Sequence, residues 1–245
     1  MRKILAFTLA ETLIVIGIIG VVAALTIPNL NQSTGDREKV AKLKKEYAVL
    51  EDAFGRAVAT YGPISRWFTN LSADDDAGVI AANRMGEFLK ISKTCEQGDS
   101  GCFGSGVYKA GGGNTSPAFS KSYLLADGAA IGFSILMNDC SLDFSSDDIN
   151  PALNTCGSIQ VDLDGAKGVN EYGNDTFEFL ITKSGIYPAG GQNTTDGDSL
   201  ATTCFSTGFS CAGWVIENEN MEYLKANGGK CSNGTELSWA TPTCK

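Results

Sequence analysis

The segment VDLDGAKGVNEYGNDTFEF, residues 161–179, gathers the side chains best suited to hold a hard cation. Asp162, Asp164, Asn170 and Asp175 offer oxygens, with Asn174 beside them, and Gly165, Gly168 and Gly173 permit tight backbone turns. Hard oxygen ligands on a flexible loop suit calcium. The spacing is not that of an EF-hand, because glycine follows Asp164 directly and no glutamate closes the loop at its last position. The competing reading of the same residues is a hairpin turn rich in Asp, Gly and Asn. Asp162, Asp164, Asn170 and Asp175 are the candidate calcium ligands, and the sequence asks for no other cofactor.

The chain contains no histidine. That excludes a Ser-His-Asp triad, a Cys-His dyad and every histidine-based metal site. Ser92–Lys93 and Lys183–Ser184 sit in no nucleophile motif and read as surface, so no catalytic residue is expected and the chain is not read as an enzyme. All eight cysteines lie after residue 94: Cys95, Cys102, Cys140, Cys156, Cys204, Cys211, Cys231 and Cys244. None forms a C-x-x-C pair, which speaks against a zinc ribbon or a thioredoxin-type motif. An even count behind an export-like N-terminus suggests disulfides. The short separations pair sequence neighbours, Cys95–Cys102, Cys140–Cys156, Cys204–Cys211 and Cys231–Cys244. Buried free thiols are the alternative.

A third chemically loaded residue is Glu11, alone in the apolar run FTLAETLIVIGIIGVVAALTI that follows the basic start MRKILA. A carboxylate in a bilayer-length helix costs about 2.5–3.5 kcal/mol on insertion scales. A chain that keeps one there needs a partner charge. Phe7 to Ile27 spans about 31 Å as a helix, which matches a hydrocarbon core. Arg2 and Lys3 precede the run, so the N-terminus is expected in the cytoplasm and the cysteine-rich part outside. A secretory signal peptide, cut near Ala23 and Ala24, competes with this anchor reading.

The stretch LAFTLAETLIVIGIIGVVAALTIPNL resembles the N-terminus of the type IV pilin and type II secretion pseudopilin superfamily. The resemblance implies a leader, residues 1–6, cut by a prepilin peptidase between Ala6 and Phe7. Phe7 would then be N-methylated, and Ala6 stands where the family usually has glycine. Glu11 would be the fifth residue of the processed chain and would neutralise the new amine of a neighbouring subunit during assembly. Pro28 matches the helix-softening proline of the family. Gly17, Gly20, Ala23 and Ala24 form a thin stripe that permits close helix approach. The segment at 162–177 resembles a stretch found in some pseudopilin-like proteins, with Val169 in place of a proline, and CAGWVIENENMEYL, 211–224, resembles a C-terminal segment of the same group.

The elements that must position these residues follow from periodicity. Residues 7–30 form the hydrophobic membrane or filament-core helix, which Pro28 and NQSTGD interrupt. Val40, Leu43, Tyr47, Leu50, Phe54 and Val58 recur at helical steps, giving an amphipathic helix over 31–61 with Glu46 and Glu51 on its polar side. Gly62 and Pro63 end it. A short helix is expected over residues 77–89 with Asp74, Asp75 and Asp76 at its start, and GGGN at 111–114 reads as a loop. SYLLADGAAIGFSIL reads as a hairpin turning at Asp127-Gly128. Strands are expected at 158–163 and 176–182, and Trp214, Val215 and Ile216 suggest another. Tyr223 and Leu224 are expected to pack.

The expected fold class is α+β: a long N-terminal helix packed on a disulfide-stapled antiparallel sheet domain over 62–245. A net charge of −9 speaks against nucleic acid as a partner. The resemblance implies a structural filament subunit of a type IV pilus, its length favouring a minor one. It would wait in the bacterial inner membrane as a single-pass protein. Its partners would be the peptidase, sibling subunits and an inner-membrane assembly platform. A type II secretion pseudopilin is the alternative within the family. A membrane-anchored extracytoplasmic binding or enzymatic domain is the alternative outside it.

Overall fold

A computed structural model describes residues 9–72, 76–104, 108–110, 113–115, 119–143, 154–192 and 203–244, with the side chains of 9–12, 23–33, 108–110 and 113–115 outside the description. The chain divides into two compact units, Met1–Glu38 and Lys39–Lys245. Helix α1 (Leu9–Tyr61) contributes to both.

In the first unit, Leu13, Ile14, Val15, Ile16, Ile18, Ile19, Val21 and Val22 are all exposed, at 50–65%. Pro28, expected to soften the helix, lies within α1, which continues through it. A proline removes one i→i−4 bond at about 3 kcal/mol, and cooperative propagation on either side carries that cost. Among the described residues no helix is long and apolar enough to cross a membrane. The span expected at 7–30 begins and ends outside the described side chains.

The second unit is built on a six-stranded antiparallel sheet in the order β1-β4-β5-β6-β7-β8. Its strands are β1 (Ile91–Glu96), β4 (Lys121–Leu125), β5 (Ala130–Ile135), β6 (Thr155–Asp162), β7 (Thr176–Thr182) and β8 (Ile186–Pro188). Between β1 and β4, β2 (Tyr108–Ala110) and β3 (Gly113–Thr115) form a separate two-stranded ribbon. Gly113 and Asn114, expected in a loop, therefore pair with Ala110 and Lys109.

Period-two alternation places the large apolar residues of the central strands on one face. Ile131 lies opposite Val161 and Val161 opposite Phe177; Phe133, Ile159 and Phe179 form the next row. The α1 side chains Val40, Leu43, Leu50, Ala53, Phe54 and Ala57 belong to the same core. Tyr47 stacks on Phe179 at 5.5 Å between ring centroids. Helix α2 (Ala77–Gly86) packs on β5 and β4. Asp76 caps it, accepting from the N–H groups of Gly78 and Val79.

Two short helices, α3 (Phe205–Thr207) and α4 (Ala212–Asn218), follow the sheet. The strand expected at Trp214–Ile216 is thus a helix. Trp214 and Val215 are fully buried in it. A Cβ on Gly213 would lie 2.1 Å from the Gly191 nitrogen, so only glycine lets this helix press on the backbone after β8. Tertiary packing overrides the β preference of the WVI run. Tyr223 is buried as expected, whereas Leu224 is 40% exposed.

All four expected disulfides are formed: Cys95–Cys102, Cys140–Cys156, Cys204–Cys211 and Cys231–Cys244. The fold is α+β, with an antiparallel sheet, helices and four staples.

Candidate functional site

The Asp/Asn/Gly segment connects β6 to β7. The strands end at the Asp162–Thr176 pair, and the Leu163 N–H donates to the Asp175 carbonyl at 2.8 Å. Asp162 is fully buried. Its Oδ1 accepts from the backbone N–H groups of Asp164 at 3.1 Å and Gly165 at 3.0 Å. That is an Asx-type turn, the hairpin reading of this sequence. Among the described residues no donor reaches Oδ2. Burial, then the neighbouring Asp164 carboxylate, pushes Asp162 up to about 8.

The other candidate ligands lie on the same connection. Asp175 Oδ1 accepts from the Glu171 N–H at 2.6 Å. Burial raises the Asp175 carboxyl, and the Glu171 amide works against that rise. Asn170 is buried, with neither Oδ1 nor Nδ2 partnered among the described residues, and a Cβ on Gly104 would come within 3.1 Å of that Oδ1. The connection is tied down from outside by Lys39 of α1, which donates to Asn174, and by the Tyr223 hydroxyl, which donates to the Gly173 carbonyl.

By type, this donor set fits a hard cation, since two buried oxygens lack donors and two carboxylates stand nearby. Among the described residues, however, no three His, Cys, Asp or Glu side chains converge as metal ligands. Asp162 Oδ1 and Asp175 Oδ1 already serve the backbone. A cation here would draw on Asp162 Oδ2 and Asn170 Oδ1, with Asp164 and Asp175 turning inward.

The processing and assembly residues of the N-terminus are placed differently. Ala6 and Phe7 lie outside the described residues. Glu11 and Pro28 lie on α1, with their side chains outside the description.

A second cluster holds Glu46, which its charge had placed on the polar side of α1. Glu46 sits three residues after Leu43 and four before Leu50, which places it within the apolar stripe of α1. Its side chain is fully buried. Lys45 Nζ donates to its Oε1 at 3.3 Å and also to Asp127, in the turn between β4 and β5. The other Asp127 oxygen accepts from the Ala129 N–H at 3.1 Å. Among the described residues no donor reaches Glu46 Oε2.

Burial, followed by the adjacent Asp127 carboxylate, raises Glu46 to about 7, with Lys45 opposing. Burial also acts to raise Asp127, but its bonds with Glu46, Lys45 and the Ala129 amide outweigh it and hold Asp127 well below the usual carboxylate range. Two facing carboxylates can bond to each other only by sharing a proton, and Glu46 is the one that carries it.

These residues border a cavity of about 670 Å³ between α1 and the β4–β5 turn. Val49, Phe88 and Leu125 are apolar residues of its lining, and Arg56 and Lys90 line it as well. No family model, curated protein or solved structure matches the chain.

Proposed function

We propose that this chain is a structural subunit of a pilin-like filament, with no catalytic role of its own. What supports the reading most is the surface of α1 between Leu13 and Val22. An isoleucine- and valine-rich helix exposed on every side is stable only when lipid or other apolar helices cover it. The lone acid Glu11 just before it supplies a register mark. A buried carboxylate and a neighbour's amine satisfy one another at one axial offset and are penalised at others. On this reading the subunit is held in the inner membrane after cleavage between Ala6 and Phe7 by a prepilin peptidase. An assembly platform then passes it into a helical polymer with sibling subunits, as a pilus or a secretion pseudopilus.

The test is Glu11→Val in cells that make the filament. Removing one member of a buried pair costs about 3–5 kcal/mol. The variant is expected to insert and be processed normally but to give few filaments by shearing and electron microscopy. Normal filament yield would refute the register argument. Mass analysis of the purified protein showing a start at Met1 would refute processing.

Calcium is proposed as a stabilising occupant of the β6–β7 connection. It would neutralise the buried Asp162 and satisfy Asn170.

A further inference from the structure

We propose that Lys39 is a built-in rival of the cation on the β6–β7 connection: its ammonium weakens calcium binding there, and calcium in turn loosens the tie between Lys39 and Asn174. This rests on the reading of that connection as a calcium site. Two features of the loop point to where a cation would sit. Asp162 and Asn170 are buried, and Asp162 Oδ2 and both polar atoms of Asn170 lack partners among the described residues. A buried acceptor left unpaired favours any donor or cation that reaches it.

The second feature is a cradle. A Cβ on Gly104 would lie 3.1 Å from Asn170 Oδ1 and 3.2 Å from the Gly168 carbonyl oxygen. The missing side chain thus leaves a hollow on which two oxygens from different residues converge. A Cβ on Gly168 would meet Asp164 Oδ2 at 3.5 Å, which brings a carboxylate to the same turn of chain. The Asp164 charge is felt at both Asp162 and Asp175.

Lys39 stands against this loop from α1. Its Nζ donates to Asn174 Oδ1, while Asn174 Nδ2 donates to Glu171 Oε2 at 3.2 Å. Asn174 thus holds the corner that carries Asp175 between the helix and Glu171. Burial raises the Asp175 carboxyl, and the Lys39 ammonium is among the influences that lower it, so its charge reaches a candidate ligand. Lys39 is half-buried and precedes Val40, which is buried in the core, so helix packing fixes where its stem begins. Lys167, the ammonium within the loop, is exposed and can turn to solvent along its flexible stem. Lys39 is therefore the positive charge that an arriving cation must meet. A divalent cation that draws Asp175 inward pulls the Asn174 corner from α1 and repels the ammonium. By linkage the two effects on binding are equal in size.

The experiment is calorimetric titration of calcium chloride into the full chain held in non-ionic detergent. Lys39→Met is expected to bind calcium about fivefold more tightly than wild type at low salt, as removal of one like charge a few ångströms away implies. The gain should shrink in about 0.5 M potassium chloride. Lys39→Arg restores the charge and is expected to return the affinity to the wild-type value. Lys39 supplies a second readout. Its reaction with an amine-acylating ester, followed by peptide mass spectrometry, should rise severalfold when calcium replaces chelator, and Asp164→Ala should abolish the rise. Equal or weaker calcium binding by Lys39→Met, a gain that salt leaves unchanged, or Lys39 labelling that ignores calcium overturns the proposal and leaves the calcium reading standing. Absence of saturable binding in wild type and Lys39→Met alike ends both. Binding that appears only in Lys39→Met supports the rivalry in its strongest form.

Discussion

Replacing Glu46 by glutamine removes an ionisation from the middle of the core while keeping the side chain's volume. The folded protein holds the Glu46 proton up to about pH 7, against an ordinary value of 4.5. At 1.36 kcal/mol per pH unit, that difference sets a ceiling of about 3 kcal/mol, and screening through the neighbouring cavity lowers it. An acid whose folded value is raised keeps its proton in the folded state after the unfolded chain has lost it. Its contribution to stability is therefore full below pH 4.5 and declines as pH rises to about 7, after which it is constant. Asp127 acts in the opposite sense and only at lower pH, because its folded value is depressed. Among the described residues every buried apolar side chain of the core lies at Val40 or beyond, so a fragment starting at Asp36 carries that core. Urea unfolding of that fragment with its disulfides intact, followed by tryptophan fluorescence from pH 4.5 to 8, reads the effect. The wild type should lose stability across this interval, and Glu46→Gln should lose less. The variant should be the more stable at pH 8 by about 1–3 kcal/mol. Parallel curves would mean that Glu46 is solvated and ionised throughout, and the shared-proton account would fail.

Trp214 is fully buried, donates from Nε1 to Asn220 at 3.1 Å and packs against Phe205 and Trp239. Trp214→Ala should cost about 3–5 kcal/mol in the same unfolding assay, and a loss below 1 kcal/mol would contradict the placement of α4. Calcium should raise the melting temperature of the fragment, chelator should reverse the rise, and Asp164→Ala should remove it. A chelator-insensitive melt would leave the β6–β7 connection as a turn and nothing more.

How far the fold could be read from sequence depended on whether a signal was local. The β4–β5 hairpin announced itself through Asp127-Gly128, where Gly128 takes a φ of +89° and its N–H closes the turn onto the Leu125 carbonyl. Strands β6 and β7 were visible because alternation coincides with a β-branched and aromatic run. Sequence-neighbour pairing gave all four disulfides because each loop is short enough to close locally. The failures concern residues whose state is set by distant partners. Glu46 looked solvent-facing because it is charged and flanked by Lys44 and Lys45, yet its spacing from Leu43 and Leu50 already placed it inward. In α4, the helix depends on Gly213 meeting the backbone at Gly190 and Gly191, which no local window contains. The candidate cation site was legible as a cluster of oxygen-bearing types. That Asp162 spends one oxygen on backbone amides was not, because an Asx turn and a ligand loop use the same letters.

The four disulfides share a placement with a mechanical consequence. Each closes a short loop, of 7, 16, 7 or 13 residues in sequence separation, and all lie beyond α1. A pull applied through the N-terminal helix therefore meets no covalent stop until Cys95. The seam between α1 and the sheet must bear such tension through packing and non-covalent bonds such as Lys39 to Asn174 and Lys45 to Asp127, while the cross-linked portion stays intact behind it. Oxidation thus stiffens the residues from Cys95 onward and places no cross-link on α1.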